Sequence, residues 1–262
     1  MSVSFYQGLE QALDCTESER KCALVQALST AVLTVASSEA VMPGRRSPGR
    51  PQAPELVEPG AVPRRRLNSI EGRAALIHAV AHIEFNAINL ALDAAWRFRG
   101  MPAAFYADWL SVAKDESRHF TWLNQRLGEL DYSYGDFTAH NGLWEMACKT
   151  AEDPLKRMAL VPRVLEARGL DVTPGMIKRL RQAGDTKTAD ILLQILQEEE
   201  AHVAIGSRWY AYLCARRGIE PQARFEQLLD EFNLGIKPPL NESARLRGGF
   251  SEQELGLLRA RI

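Results

Sequence analysis

The chain has four cysteines in 262 residues, no long uninterrupted apolar run and no excess of either charge, with a formal net charge of −1. Cys15, Cys22, Cys148 and Cys214 are scattered and form no Cys-x-x-Cys. That spacing excludes a zinc knuckle or a rubredoxin-type iron site and reads as idle thiols in a reducing compartment. No stretch approaches the roughly 20 consecutive apolar residues of a membrane span. The first residues also lack the basic start, apolar core and small-residue cleavage site of a secretory signal. A cytoplasmic protein with no membrane partner is the expectation. The balanced charge gives no broadly basic surface of the kind nucleic-acid binding favours. What remains is 46% hydrophobic and 25% charged residues, enough to bury one sizeable helical core.

Four stretches follow from the pattern along the chain. Residues 1–41 carry apolar positions at helical spacing (Leu9, Leu13, Cys22, Leu24, Val25, Leu28, Val32, Leu33) and read as an N-terminal helical appendage. Residues 42–67 turn to Pro, Gly and Arg, as in Pro43-Gly44-Arg45-Arg46 and Pro63-Arg64-Arg65-Arg66. Such a composition forms an extended linker or wrapping arm, without regular helix or a core of its own. Residues 68–218 hold the long periodic segments, and residues 219–262 read as a tail with a last short helix from Ser251.

Within 68–218, Asn68 or Ser69 predicts the N-cap of a long helix to about Arg99, closed by Gly100. Met101-Pro102 opens a second helix that ends at Gly128. The periodicity lapses over 130–150, which predicts a crossover connection, and resumes near Leu143-Trp144-Glu145-Met146. A third helix is predicted from Glu152 to Arg168, kinked by Pro162 and stopped by Gly169, then a short one from Pro174 to Gln182. The last long helix runs from Thr186 to Arg217 and closes at Gly218.

Two of these helices carry the same short pattern, Glu116-Ser117-Arg118-His119 and Glu199-Glu200-Ala201-His202. A separation of three places carboxylate and imidazole about 60° apart on a helix, so both can reach one ion. Each pattern follows a lone Glu in another apolar helical run: Glu84 precedes Glu116 by 32 residues and Glu166 precedes Glu199 by 33. Taken singly, a Glu on a helix reads as a solvated surface charge and a His on an apolar face as a satisfied core residue. The repeated spacing favours ligands. Glu84, Glu116, His119, Glu166, Glu199 and His202 together match the ligand inventory of a di-iron or di-manganese carboxylate centre in a four-helix bundle. In that arrangement Glu116 and Glu199 bridge, Glu84 with His119 completes one metal, and Glu166 with His202 the other. Iron, manganese or a mixed pair all suit these hard ligands.

Asp115 and Glu198 immediately precede the motif glutamates. They are candidates to fix a ligand imidazole through a hydrogen bond, the alternative being solvent-facing acids. His78 and His82 share a helix face, but His82 is about 160° from Glu84 and points elsewhere. His140, in the crossover, has no evident partner. Trp109, Phe120, Trp209 and Tyr210 read as core or pocket lining. No catalytic residue beyond the metal ligands stands out.

These residues resemble the ferritin-like superfamily over about Asn68 to Gly218. More narrowly, Ala81-His82-Ile83-Glu84, Lys114-Asp115-Glu116-Ser117-Arg118-His119-Phe120, Leu165-Glu166-Ala167-Arg168-Gly169-Leu170-Asp171 and Glu198-Glu199-Glu200-Ala201-His202 look like an uncharacterised bacterial ferritin-like family. That family is similar to the tRNA hydroxylase branch. The resemblance implies an all-α, ferritin-like four-helix bundle around two iron ions. It also implies an O2-activating oxidoreductase or hydroxylase with dioxygen, an unknown substrate and an external electron donor as partners. By analogy alone, tRNA is a candidate substrate and the arginine-rich arm is compatible with it. Two rivals are an iron-oxidising or peroxide-scavenging ferritin-like protein and a non-catalytic structural bundle. Scavenging of the rubrerythrin kind lacks its Cys-rich electron donor here. The structural bundle would bury carboxylates at several kcal/mol each, by order of magnitude, with nothing to offset them.

Overall fold

The structure, a computed structural model, describes residues 4–34, 40–43, 47–63 and 65–262. The described chain is mostly helical and divides into two compact units, residues 1–152 and 153–262.

The first unit starts with α1 (Phe5–Asp14), opened by a capping box in which Ser4 and Gln7 satisfy each other's backbone N–H. Helix α2 (Ser18–Ala27) follows. Its Lys21, with no solvent exposure, donates to the carbonyls of Ala12 (2.9 Å) and Leu13 (3.1 Å) at the end of α1 and to Asn89 Oδ1 (2.7 Å). An ammonium there complements the negative end of α1 and pins both helices to the next one. The long α3 (Ile70–Arg97) is capped by Ser69, whose hydroxyl accepts from Gly72 N–H. It packs antiparallel on α4 (Ala103–Gly128), the turn between them using Gly100 at φ 73°. Helix α5 (Gly142–Lys149) closes the unit.

Helix α3 is long and apolar enough to cross a membrane by length and composition, yet its most apolar window is mostly buried inside the protein. Its apolar surface is spent on the core.

The arm between α2 and α3 does more than link. Strand β1 (Ala40–Val41) pairs antiparallel with β2 (Phe98–Arg99), Ala40 opposite Arg99 and Val41 opposite Phe98. Arg97, 2% exposed, grips Asp93 with both ends of its guanidinium and donates to Met42 O at 3.1 Å. Gly49 N–H bonds Leu13 O at 2.7 Å, and a Cβ there would meet Asp14 O at 2.3 Å. Further on, Val57 N–H bonds Ala139 O and Ala139 N–H bonds Glu55 O. The described part of the arm therefore lies along its own unit. Residues 44–46 and Arg64, part of its arginine runs, lie outside the described residues. The paired strands are a departure from purely helical structure, with a simple cause: the exposed backbone edge after α3 needs partners, and the arm supplies them.

In the second unit α6 (Pro154–Leu160), a π-helical segment (Val161–Glu166) and α7 (Ala167–Gln182) form one unbroken helical run. This corrects the expected stop at Gly169 and the separate helix from Pro174. Gly169 stays helical and Pro174 lies inside α7, because burial of Leu170, Ile177 and Leu180 outweighs their poor propensity. The kink expected at Pro162 is realised as the π segment, which absorbs a proline that cannot donate. Helix α8 (Thr186–Arg217) runs as expected, capped by Asp185 and ended by Gly218 at φ 62°. Beyond it come α9 (Pro221–Glu231), α10 (Glu242–Arg247) and α11 (Glu252–Arg259). Helix α9 escaped the sequence reading although Glu220 caps it and Pro221 opens it.

Gly206 on α8 lies against the π segment so closely that a Cβ would sit 2.3 Å from Pro162 Cβ. Gly206→Ala should therefore cost about 1–3 kcal/mol in denaturant unfolding, since a proline ring cannot rotate away. Gly169→Ala, where a Cβ meets nothing within 4 Å, should instead stabilise by roughly 0.5–1 kcal/mol.

Candidate metal centre

Glu84 comes from the middle of α3, and Glu116 and His119 from one face of α4. All three are inside the apolar stripe, at 4%, 1% and 0% exposure. The imidazole Nδ1 of His119 lies 3.3 Å from Glu84 Oε2 and 3.3 Å from Glu116 Oε2. Each residue offers one ligand atom, and these atoms lie within 4.8 Å of one another.

Burial is the largest influence on Glu84 and, with the nearby Glu116 charge, pushes its carboxyl up to about 8 despite the His119 hydrogen bond. Burial works the other way on His119, but its hydrogen bonds to Glu116 and Glu84 and their charges prevail and raise it to about 11. Protons thus stand in for a cation among acceptors that would otherwise repel one another. The same oxygen and nitrogen donors, in an apolar shell, fit a divalent transition metal.

The surroundings are aromatic. Phe85 and Phe120 rings lie 5.5 Å apart, and Trp122 lies 5.6 Å from the His119 ring. The sequence reading passed over Trp122, although its place three residues after His119 puts it on the neighbouring turn. Arg118 lies over Trp122 and bonds Asp115 at 2.8 Å. A cleft of about 560 Å³ between α2 and α4 opens beside these residues, lined by Gln26, Ser117, Arg118, Trp122 and Gln125 among others. Cys22 on its wall is buried, and burial pushes its thiol up to about 11, as suits an idle cysteine.

In the second unit, His202 Nδ1 lies 3.4 Å from Glu199 Oε1, with the two side chains 2% and 13% exposed. The i, i+3 spacing brings this pair together as expected. Glu166 is half-buried at the last position of the π segment, which packs against α8. Glu198 is half-buried on α8. Trp109, Phe120, Trp209 and Tyr210 are all buried, as core residues should be.

The other histidines of α3 are structural. His82 Nδ1 accepts from the Tyr134 hydroxyl at 2.8 Å while Nε2 faces His140 O at 3.1 Å. His78 Nε2 accepts from Gly135 N–H at 3.0 Å and its ring stacks on Tyr134. These bonds tie the crossover over 131–141 to α3, a role no spacing in the sequence announces.

The arrangement defines an all-α protein with a buried carboxylate and imidazole cluster able to hold a metal ion. The chain belongs to the family described as "Protein of unknown function (DUF455)", whose profile matches residues 14–256. It is similar to an uncharacterised protein of Haemophilus influenzae (strain ATCC 51907 / DSM 11121 / KW20 / Rd), 44% identical over 267 residues, covering 97% of this chain and 93% of the relative. No solved structure matches the chain.

Burial lowers His78 to about 4, the Asp136 charge offsetting only part of the effect. The unfolded imidazole takes its proton near 6.5. Its stabilising contribution is therefore complete above pH 6.5 and lost as pH falls toward 4, because protonation removes the acceptor for Gly135 N–H. Thermal unfolding followed between pH 6.5 and 5 should lose stability with a slope of at most about 1.4 kcal/mol per pH unit from this residue. His78→Gln should flatten that slope.

Proposed function

We propose that this chain is a di-metal carboxylate protein, di-iron in the first instance, acting as an O2-activating oxidoreductase. The observation that carries the reading is the Glu84, Glu116 and His119 cluster, buried and mutually in contact. The second pattern of Glu166, Glu199 and His202 repeats its inventory. The reading takes α3, α4, the α6–α7 run and α8 as the four helices of a ferritin-like bundle. It assigns Glu84, Glu116, His119, Glu166, Glu199 and His202 as the ligands.

Such a metal pair, when bound, supplies the redox equivalents for attack on an otherwise inert substrate bond. The chain's own residues do the rest. Glu84 and Glu116 supply negative charge in a dry setting where a cation gains most from it. His119 gives up its proton to serve as a neutral donor. Phe85, Phe120 and Trp122 keep water from the ligands.

The substrate stays open, and tRNA enters by resemblance only. Among the arm's described arginines, Arg65 is engaged by Glu71 at 3.0 Å and lies over Phe137, which gives that substrate no support.

The test is metal analysis of the natively purified protein together with dioxygen uptake after reduction. Two iron or manganese ions per chain are expected, with Glu116→Ala or Glu199→Ala losing metal and uptake together. A protein that is purified metal-free and takes up neither Fe(II) nor Mn(II) sinks the reading. Dioxygen uptake that stops when added Fe(II) is oxidised, at a fixed ratio to it, would move the protein to the iron-oxidising class.

A further inference from the structure

The π-helical segment ends on Glu166, and a π turn is the rarest regular form a helix can take, found mostly as a single turn inside an α-helix. Something outside the helix must hold it. Three side chains close to Glu166, namely Arg163, Arg168 and Asp171, each reach the same place, the chain beyond α9. Arg163, 2% exposed, bonds Glu254 Oε1 of α11 at 2.6 Å and Ser207 Oγ of α8 at 3.2 Å. Its guanidinium lies 4.5 Å from the ring centres of Phe225 and Phe250 and 4.8 Å from Tyr210. Arg168 donates to the carbonyls of Lys237, Pro238 and Pro239 at 2.6–3.0 Å. Asp171, 3% exposed, receives both ends of the Arg245 guanidinium at 3.0 and 2.7 Å and the Asn241 N–H at 2.9 Å.

The same tail grips α8 on both sides of His202. Arg247 makes a two-pronged bond to Glu200, 2.6 Å at each prong. Ser207 Oγ donates to Gly248 O at 2.6 Å, and a Cβ on Gly248 would meet Val203 at 2.8 Å. Gly249, at φ 84°, makes the turn there.

We propose that residues 237–254 form a brace that fixes the facing of Glu166, with Arg163 and Glu254 as its positioning residues, so that the tail sets how tightly this unit's ligands hold metal. The proposal rests on Glu166 being a ligand. A tail that served stability alone would need no charged contact at the π segment, where an apolar seal would suffice. Instead its buried ion pairs converge on the few residues around Glu166, and bidentate and doubly anchored contacts fix direction as well as distance.

The experiment titrates the metal-free, full-length protein with Mn(II) and follows amide hydrogen exchange over residues 161–167. Glu254→Gln and Arg163→Lys should each weaken the more weakly held Mn(II) about tenfold or more, the scale of lost support to a ligand. Exchange over 161–167 should speed up while the far-ultraviolet circular dichroism stays unchanged. Arg259→Gln, at an exposed pair on α11, should change neither. Should Glu254→Gln fail to fold, Ser207→Ala, which removes the Nε bond of Arg163 and the tail's bond at Gly248 O together, carries the same comparison. Wild-type Mn(II) affinity in a folded Glu254→Gln protein overturns the brace. Glu166→Gln separates the two failures: if it loses metal while Glu254→Gln does not, only the brace falls. If Glu166→Gln binds Mn(II) like the parent, the ligand assignment falls and the brace with it.

Discussion

Two carboxylates and an imidazole held out of water against one another, Glu84, Glu116 and His119, set the constraint that the first unit is built around. Desolvating an ion costs several kcal/mol even after relaxation. A domain's whole stability is on the order of 5–15 kcal/mol, so two unrelieved buried carboxylates are a large fraction of it. Protons relieve the repulsion in the metal-free protein, as burial and the neighbouring charge raise the Glu84 carboxyl and the two carboxylates raise the His119 imidazole. A divalent cation would relieve it more fully, by reversing the sign of the local field. Helices α3 and α4 are suited to bear that load, since their backbone polar groups are satisfied internally and their packing is the most extensive in the unit.

Each unit secures the segments appended to its helix pair with buried cations. Lys21 binds α1 and α2 to α3 through Asn89, and Arg97 binds the arm through Met42 O while paired to Asp93. Arg163 and Arg245 do the same for the tail of the second unit. Such pairs add little net stability compared with apolar contacts, but breaking one leaves an uncompensated charge at about 3–5 kcal/mol. They therefore select one docked arrangement over near alternatives. An apolar seal tolerates a slipped register; an arginine such as Arg97, held by a specified carbonyl and a carboxylate, does not.

The spacing that brings Glu116 and His119 together and the long helices were legible in the sequence because both are local and periodic. A separation of three on a helix fixes where Glu116 and His119 point, whatever else the chain does, and Ser69, Gly100 and Gly218 mark ends by their own backbone preferences. The arm's pairing with β2, the ties from His78 and His82 to the crossover, and the tail's hold on Arg163 were not legible. Each joins residues tens of positions apart, and no single-sequence rule ranks one such partner above another. Gly169 and Pro174 misled for the opposite reason: their local signals are genuine, and burial of the helix face overrode them.

The π segment resolves a conflict of phase. Met158 in α6 and Leu170 in α7 are both fully buried, and they stand 12 positions apart. On a regular helix that separation would turn them about 120° from each other, so one would leave the packed face. A π turn absorbs one extra residue and brings the pair to within about 20°. Both halves of the run can then pack on α8, as they do. Glu166, one turn before Leu170, lies in the stretch that the insertion realigns, and that stretch packs on the helix bearing Glu199 and His202. Pro162, which cannot complete a regular helix, and Gly206, which lets α8 come close enough to cover it, are the two residues that make the insertion affordable.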